Sequence, residues 1–283
     1  MRGLRTEALI AMKLEKLLID DPESGYLPLP AQRINAQGVA HTTEHVAAER
    51  PVALSYNGVS HAVMMATPCD LEDFAIGFSL SEGIVGHAGE ITDIGQHDGP
   101  AGITMELRIT ERRIAELRER RRMLTGRTGC GLCGAESLEQ AIRPVALVTS
   151  SVRITPAMIQ AGFAQLGQRQ TLNHATGAAH AAALFDGTRC LVREDIGRHN
   201  ALDKLIGAMQ RGDFHAGILL VTSRASYEMV HKAASANISL MAAISAPTSL
   251  AIELAREAGI TLIGFARGES LTCYTQGKGL LEI

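Results

Sequence analysis

No stretch of this 283-residue chain stays apolar for anything near the roughly 18 residues that a membrane-spanning helix needs. The first residues include arginine but no uninterrupted apolar segment ending in a small-residue cleavage site, so neither a membrane nor an export signal is expected and the chain reads as cytoplasmic. Cysteine is scarce and odd in number, five in all. Cys69, Cys190 and Cys273 are scattered, which argues against a secreted disulfide framework and for reduced thiols, with these three as bystanders. Charge of one sign is lacking too. A formal net charge of -3 and a pI near 6.4 argue against broad nucleic-acid binding, so any basic site must be local. Neither Gly-x-Gly-x-x-Gly after a strand nor Gly-x-x-x-x-Gly-Lys-Ser/Thr occurs, and with them go the Rossmann and P-loop modes of phosphate binding. What remains is an ordinary globular composition, 46% hydrophobic and 20% charged, long enough for one large or two ordinary domains.

Against that background one stretch stands out: Arg127-Thr128-Gly129-Cys130-Gly131-Leu132-Cys133-Gly134. Two thiols at CxxC spacing among three glycines make a reactive loop with little side-chain volume to bury. Such a pair serves as half of a zinc site, as a thiol/disulfide switch, or as a nucleophile that carries sulfur as a persulfide. Eight arginines fall between residues 108 and 127 against Glu111, Glu116 and Glu119. They form either a solvated helical face laced with i,i+4 pairs or a positive field that favours thiolate at Cys130 or Cys133 and docks an anionic partner, and both can hold together.

Taken in order, residues 1–40 mix charge with Pro22, Pro28 and Pro30 and are expected to be a loosely ordered lead-in. Pro51 to Met65 alternate around Tyr56-Asn57-Gly58, a hairpin signal. Asp70 is expected to cap a helix carrying Leu71, Phe74, Ala75 and Phe78 on one face, with Gly83 past its end. Residues 103–109 alternate as a half-buried strand. These elements make a smaller α+β domain over 41–144 that ends in the cysteine loop. Beyond Pro144 the pattern becomes α/β. Val145 to Val148 reads as a strand, Thr155-Pro156 opens a helix, and Asp186-Gly187 turns a second hairpin. Asn200 opens another helix. Strands at 217–222, 238–244 and 260–265 then alternate with helices at 226–236 and 247–258, which predicts βαβ crossovers and a mostly parallel sheet over 145–283.

Ligands of such sheets bind at the carboxyl ends of the strands. Those ends are polar: Thr222-Ser223-Arg224-Ala225-Ser226, Ser245-Ala246-Pro247-Thr248-Ser249 and Arg267-Gly268-Glu269-Ser270. Single hydroxyls there are commonly helix caps, but three successive ends carrying hydroxyls, two with arginine, point to an anionic ligand. The run Arg193 to Asn200, with His199, reads in isolation as a salt-bridged corner. His180 in Thr176 to Ala182 reads as a structural histidine. With two glycine-flanked histidine sites and a CxxC, convergence of some of them is the functional alternative.

Zinc deaminase chemistry requires His-x-Glu followed downstream by Pro-Cys-x-x-Cys. Here His180 precedes Ala181-Ala182 and the CxxC lies upstream, so deamination is not expected. No second ligand pair stands at zinc-finger spacing, and no metal site is expected. A thioredoxin-type switch places its CxxC between strand and helix, which leaves redox or zinc chemistry beside a nucleotide pocket as the alternative to sulfur transfer.

At this point the chain resembles the formate dehydrogenase accessory sulfurtransferase family. The likeness spans about 49–275 and rests on Glu49-Arg50-Pro51-Val52, Leu80-Ser81-Glu82-Gly83-Ile84, the Thr128 to Gly134 loop, Glu194-Asp195-Ile196-Gly197-Arg198-His199-Asn200-Ala201, Ser245 to Ala251 and Gly264-Phe265-Ala266-Arg267-Gly268. The resemblance implies a cytidine-deaminase-like fold for the C-terminal half without the zinc chemistry. It implies a homodimer that takes sulfur from a cysteine desulfurase and passes it to the molybdenum cofactor, as bis-molybdopterin guanine dinucleotide, before insertion into formate dehydrogenase. On this basis Cys130 carries the persulfide with Cys133 as partner. Phe265, Ala266, Arg267, Gly268, Glu269 and Ser270 hold the cofactor, with Ser223, Arg224, Ser245, Thr248 and His199 as further candidates and GDP as a mimic. Two positions depart from the family pattern: Asn237, where glycine is expected, and Cys273, which leaves open a role for a third thiol.

Overall fold

The computed structural model describes residues 25–125, 145, 147–214 and 216–282. Cys130 and Cys133 lie outside the described residues. The chain forms a four-stranded and a six-stranded sheet, each with its own helices, joined through a buried helix crossing.

The smaller unit is built on β3 (Arg50–Tyr56), β4 (Val59–Ala66), β5 (Ile91–Gly99) and β6 (Gly102–Ile109), in the order β4-β3-β6-β5. The Asn57-Gly58 turn joins β3 to β4 with φ angles of 48° and 77°, the left-handed pair that a two-residue hairpin requires. Helix α1 (Leu71–Ser81) lays Phe74, Ala75 and Phe78 on Leu54, Tyr56, Met105 and Leu107. Helix α2 (Glu111–Thr125), the arginine-rich segment, begins directly after β6 and adds Ile114 and Leu117 to this core. Asp70 occupies the cap position of α1 in a left-handed conformation, and its side chain makes no cap bond. Its carboxylate instead lies 3.5 Å from Arg193.

The lead-in expectation fails in part. Tyr26–Asn35 (β1) and Gly38–Ala47 (β2) pair antiparallel over their whole length. The ribbon is mostly exposed, so its sequence lacks the alternation by which a half-buried strand is recognised.

The larger sheet runs β13-β12-β11-β10-β8-β9. Its strands are β8 (His180–Phe185), β9 (Cys190–Asp195), β10 (Ile218–Val221), β11 (Leu240–Ala243), β12 (Thr261–Arg267) and β13 (Ser270–Thr275). Only β10-β11-β12 are parallel, while β8, β9 and β13 pair antiparallel. The α/β class therefore holds, but the sheet is mixed instead of mostly parallel, because β13 is added antiparallel at one flank of the parallel centre and the β8-β9 hairpin at the other. Of the stretch Val145 to Val148, the described residues 145, 147 and 148 are not in a strand. The short strand of that region is β7 (Arg153–Ile154), parallel to β14 (Leu280–Leu281).

Helix α3 (Pro156–Gln168), capped by Thr155, covers one sheet face with Ile159 and Leu166 against Phe185, Leu220 and Ile263. A short helix, α4 (Thr171–Thr176), follows it. Helices α5 (Arg198–Arg211), α6 (Tyr227–Ser235) and α7 (Ser249–Ala258) cover the other face, with Leu202, Leu205, Val230 and Leu254 on Leu219, Val221 and Met241. Burial on both faces explains why the central strands read as unbroken apolar runs. The cap of α5 is Gly197, three residues before the expected Asn200. Asn237 follows α6 with φ 56°, the left-handed state that glycine or asparagine tolerates. Its Oδ1 accepts from Thr149 N at 2.7 Å, a bond that glycine could not make. Among the described residues no helix is long and apolar enough to cross a membrane.

The two units meet where α1 crosses α5. A Cβ at Gly77 would collide with the carbonyl of Asp203, and one at Gly207 with that of Asp73. Gly207→Ala is expected to destabilise the protein by about 1–3 kcal/mol through overpacking. Equilibrium denaturation measures this, and an unchanged midpoint would show that the helices do not approach so closely.

Candidate functional site

The parallel strands end in loops knitted together by their backbones. Ile244 N donates to Val221 O at 3.1 Å, Thr248 N to Ala225 O at 3.0 Å and Phe265 N to Ser245 O at 3.2 Å. Because β8 runs antiparallel to β10, its first residue, His180, comes to the same edge, and Ala181 N donates to Thr222 Oγ1 at 2.9 Å. The last residue of β9, Asp195, pairs with His180, and α5 starts immediately after it. One edge thus collects the three polar strand ends, His180 and the start of α5.

Most of the sequence candidates are at this edge, in different states. Arg224 is exposed and its guanidinium makes no hydrogen bond or ion pair among the described residues. Arg267 Nε donates to Ile244 O at 2.9 Å, which fixes its guanidinium beside the second strand end. Phe265 has φ 51° and is 46% exposed. A large aromatic in the left-handed region, with its ring in solvent, is strained backbone of the kind that accompanies ligand sites. Ala266 is buried, Gly268 turns the chain at φ 54°, Glu269 is exposed, and Ser270 Oγ donates to Arg267 O. Ser223 Oγ donates to the carbonyl of Arg224 and Ser245 lends its own carbonyl to Phe265. Thr248 is an ordinary cap of α7, accepting from Ala251 N. A cavity of about 410 Å³ beside the segment is lined by Phe163, Gln160, Ile244, Ala266, Arg267 and Gly268; Phe163 and Gln160 come from α3, which the strand-end reading did not reach. A larger cavity, about 580 Å³, lies away from this edge near Cys69. Its charged lining groups are already engaged, Arg193 with Asp73 and Glu194 with the N–H groups of Leu172 and Asn173.

His199 Nε2 lies 2.9 Å from Glu228 Oε2. Burial pushes the His199 imidazole below its ordinary pKa, with Glu228 opposing and Arg198 reinforcing. Burial also lowers His180, again helped by Arg198. The two histidine segments therefore converge, with Arg198 electrostatically felt by both. In the same run the salt-bridged corner is real for other members: Arg193 binds Asp73 at 2.7 Å and Lys204 binds Asp195 at 2.8 Å. Among the described residues no group of three His, Cys, Asp or Glu side chains is placed to hold a metal ion.

Burial holds the three described thiols toward their protonated form. Burial raises Cys69 despite Lys204 nearby, brings Cys190 to about 11, and raises Cys273, whose thiol donates to Thr275 O.

With this geometry in place, comparison with known proteins becomes informative. Residues 47–281 match the model of the FdhD/NarQ family. The chain belongs to the FdhD/NarQ family. Among its curated relatives, the sulfur carrier protein FdhD of Cupriavidus necator is 54% identical over 241 residues, 84% of each chain. The protein of the same name in Variovorax paradoxus is 47% identical, covering 87% of this chain and 90% of that one. The crystal structure of a putative formate dehydrogenase accessory protein from Desulfotalea psychrophila superposes with a TM-score of 0.67 at 25% identity, over 88% of this chain and 96% of that one.

In this FdhD/NarQ chain the base of α2 is anchored by a charge that the sequence did not reveal. Glu90, 5% exposed, accepts from Gly86 N, Arg112 and Arg113. These bonds, that of Gly86 first, hold its carboxyl at about 2 against an ordinary 4.5. A depressed folded pKa gives stability that is complete above the unfolded value and disappears as pH falls through the folded one. Stability should therefore decline between about pH 5 and 2 through this group, and Glu90→Gln should flatten that part of the profile. An identical acid limb in wild type and variant, followed by denaturation at each pH, would remove Glu90 from the account.

Proposed function

We propose that this chain is a sulfur carrier in formate dehydrogenase maturation, acting in the cytoplasm as a homodimer. The observation that carries the reading is membership of the FdhD/NarQ family, with relatives at 47–54% identity named sulfur carrier protein FdhD. The chemistry requires a nucleophilic thiol. The three described cysteines are all shifted toward the protonated form, which supports giving the task to the glycine-flanked pair that the family resemblance points to. Cys130 thiolate attacks the outer sulfur of a persulfide on the cysteine desulfurase. The donor's S–S bond breaks, its cysteine thiolate leaves, and Cys130 holds the sulfur with no net redox change. Attack of the Cys133 thiolate on Cys130 Sγ then releases hydrosulfide and forms a disulfide, and a cellular thiol reductant restores the pair. Sulfide released in this way reaches the molybdenum of the bis-guanine-dinucleotide cofactor, which is cargo here.

After incubation with a cysteine desulfurase and cysteine, the intact protein should gain the mass of one sulfur, reversible by thiol. Cys130→Ala should abolish the gain and leave the fold unchanged. Loading that persists in Cys130→Ala and vanishes in Cys133→Ala would reverse the assignment. A bound zinc ion or a plain disulfide in place of the adduct would favour the redox or zinc alternative.

The strand-end edge suits the nucleotide part of that cargo, offering Arg224, the anchored Arg267, exposed Phe265 and the cavity beside them. GDP should bind, and Arg224→Ala or Arg267→Ala should weaken it on the order of tenfold to a hundredfold, as expected for loss of a charge-assisted hydrogen bond. Calorimetry tests this. Equal affinity in all three proteins would take both arginines out of the site.

A further inference from the structure

The cavity of about 410 Å³ between α3 and the end of β12 has a mostly apolar wall, with Ile159 and Phe163 on the helix side and Ile244, Ala266 and Leu271 on the sheet side. Its size is that of a small-molecule site, roughly 300–1,000 Å³. Such a wall suits a flat ring of low charge, whereas a diphosphate would lose its hydration against carbon. Three polar side chains interrupt it: Gln160, Arg267 and Ser270. Ser270 Oγ is engaged, donating to Arg267 O. Gln160 is half-buried, and its amide makes no side-chain hydrogen bond among the described residues. Arg267 is anchored through Nε on Ile244 O at 2.9 Å, and its two terminal nitrogens have no acceptor among the described residues.

A guanine base supplies what these groups lack. Its O6 and N7 are adjacent acceptors that match an arginine bidentately. Its N1–H and N2–H groups are donors, for which the carbonyl oxygen of a glutamine side chain is an acceptor. Adenine carries an amino donor in place of O6, so a guanidinium fixed at that position would meet another donor. The ring of Phe163 adds an aromatic partner of the kind on which bases stack. The cavity is also continuous with the polar strand ends, because Ile244 runs directly into Ser245, whose carbonyl accepts from Phe265 N at 3.2 Å.

We propose that this cavity reads guanine: Arg267 donates to O6 and N7, Gln160 accepts from the N1–H and N2–H edge, and Phe163 stacks on the base. The pocket rests on the nucleotide-cargo reading above and gives that cargo its base specificity, while the phosphates fall to the loops at 222–226 and 245–249. It adds Gln160 and Phe163 of α3 to a site otherwise built from strand ends.

The test uses the full chain, with GDP and ADP titrated separately by calorimetry into wild type, Gln160→Leu, Phe163→Leu and Arg267→Lys. Wild type should prefer GDP by on the order of tenfold to a hundredfold, the discrimination expected of a bidentate base contact. Arg267→Lys keeps the charge without the fork and should bring the GDP/ADP ratio close to one. Gln160→Leu should lower that ratio several-fold and leave the unfolding temperature of the ligand-free protein unchanged, because no bond within the protein is lost. Phe163→Leu should weaken both nucleotides alike, since stacking tolerates either base. Equal affinity of wild type for GDP and ADP, or a ratio unmoved by both Gln160→Leu and Arg267→Lys, would overturn the pocket and leave the cargo reading standing. A ratio that moves in one of these variants alone would support the pocket and strike the other side chain from it. Failure of wild type to bind either nucleotide would overturn the cargo reading and the pocket with it.

Discussion

The ion pair between Asp195 and Lys204 holds the molecule's two halves in register. Both side chains are fully buried and 2.8 Å apart, and neither relies on the other alone. Asp195 also accepts from Thr67 N, Gly197 N and Asn200 Nδ2, while Lys204 donates to the carbonyls of Thr67 and Glu194. Thr67 belongs to the link between the four-stranded sheet and α1, so one residue of the smaller unit is bonded to both members of a pair in the larger one. Removing one partner of such a pair strands a buried charge and typically costs about 3–5 kcal/mol. The pair also sets where α5 begins, because Asp195 Oδ1 orients Gly197, its cap. The position of Arg198 and His199 therefore follows from a contact made on the far side of the turn.

A second buried pair reinforces the junction. Lys232 of α6 reaches Asp203 of α5 at 2.9 Å and donates to Ser81 and Glu82 at the end of α1. With Arg193 on Asp73 and the close approach at Gly77 and Gly207, the charges of the crossing are matched and its backbones touch. The contrast with the strand-end edge is physical. At the junction burial is deep and Arg193, Lys204 and Lys232 have fixed opposites, whereas at the edge Arg198 and Arg224 have none among the described residues.

The division of labour follows from this frame. At the strand-end edge Phe265 takes a left-handed conformation within the register shift between Gly264 and Arg267. Helix α2, which precedes the CxxC segment in sequence, is fixed at its base by Glu90. Several of the arginines that give this segment its positive excess are thus partly spent on structure: Arg112 and Arg113 both bind Glu90, and both reach Glu116. The solvated-face reading, with its i,i+4 pairing, holds for Arg112.

The sequence by itself determined the local elements wherever one periodicity or one turn dominated. Asn57-Gly58 made its hairpin, Thr155-Pro156 opened its helix, Asp186-Gly187 turned β8 into β9, and the apolar runs after Gly217 became strands buried on both faces. It also located the polar strand ends, since hydroxyls and arginines there have no role in a core. It did not disclose the β1-β2 ribbon, whose exposed side chains leave no pattern, nor the antiparallel flanks of the large sheet, because pairing direction depends on chain path and not on composition. Tertiary structure alone decided which charges were free. Arg193, Glu194 and Asp195 stand a few positions from Arg198 and are chemically as reactive, yet the first three are consumed by Asp73, the start of α4 and Lys204, residues up to 120 positions away. Whether a charged side chain is a strut or a binding group depends on what the fold places opposite it, and that partner lies elsewhere in the chain.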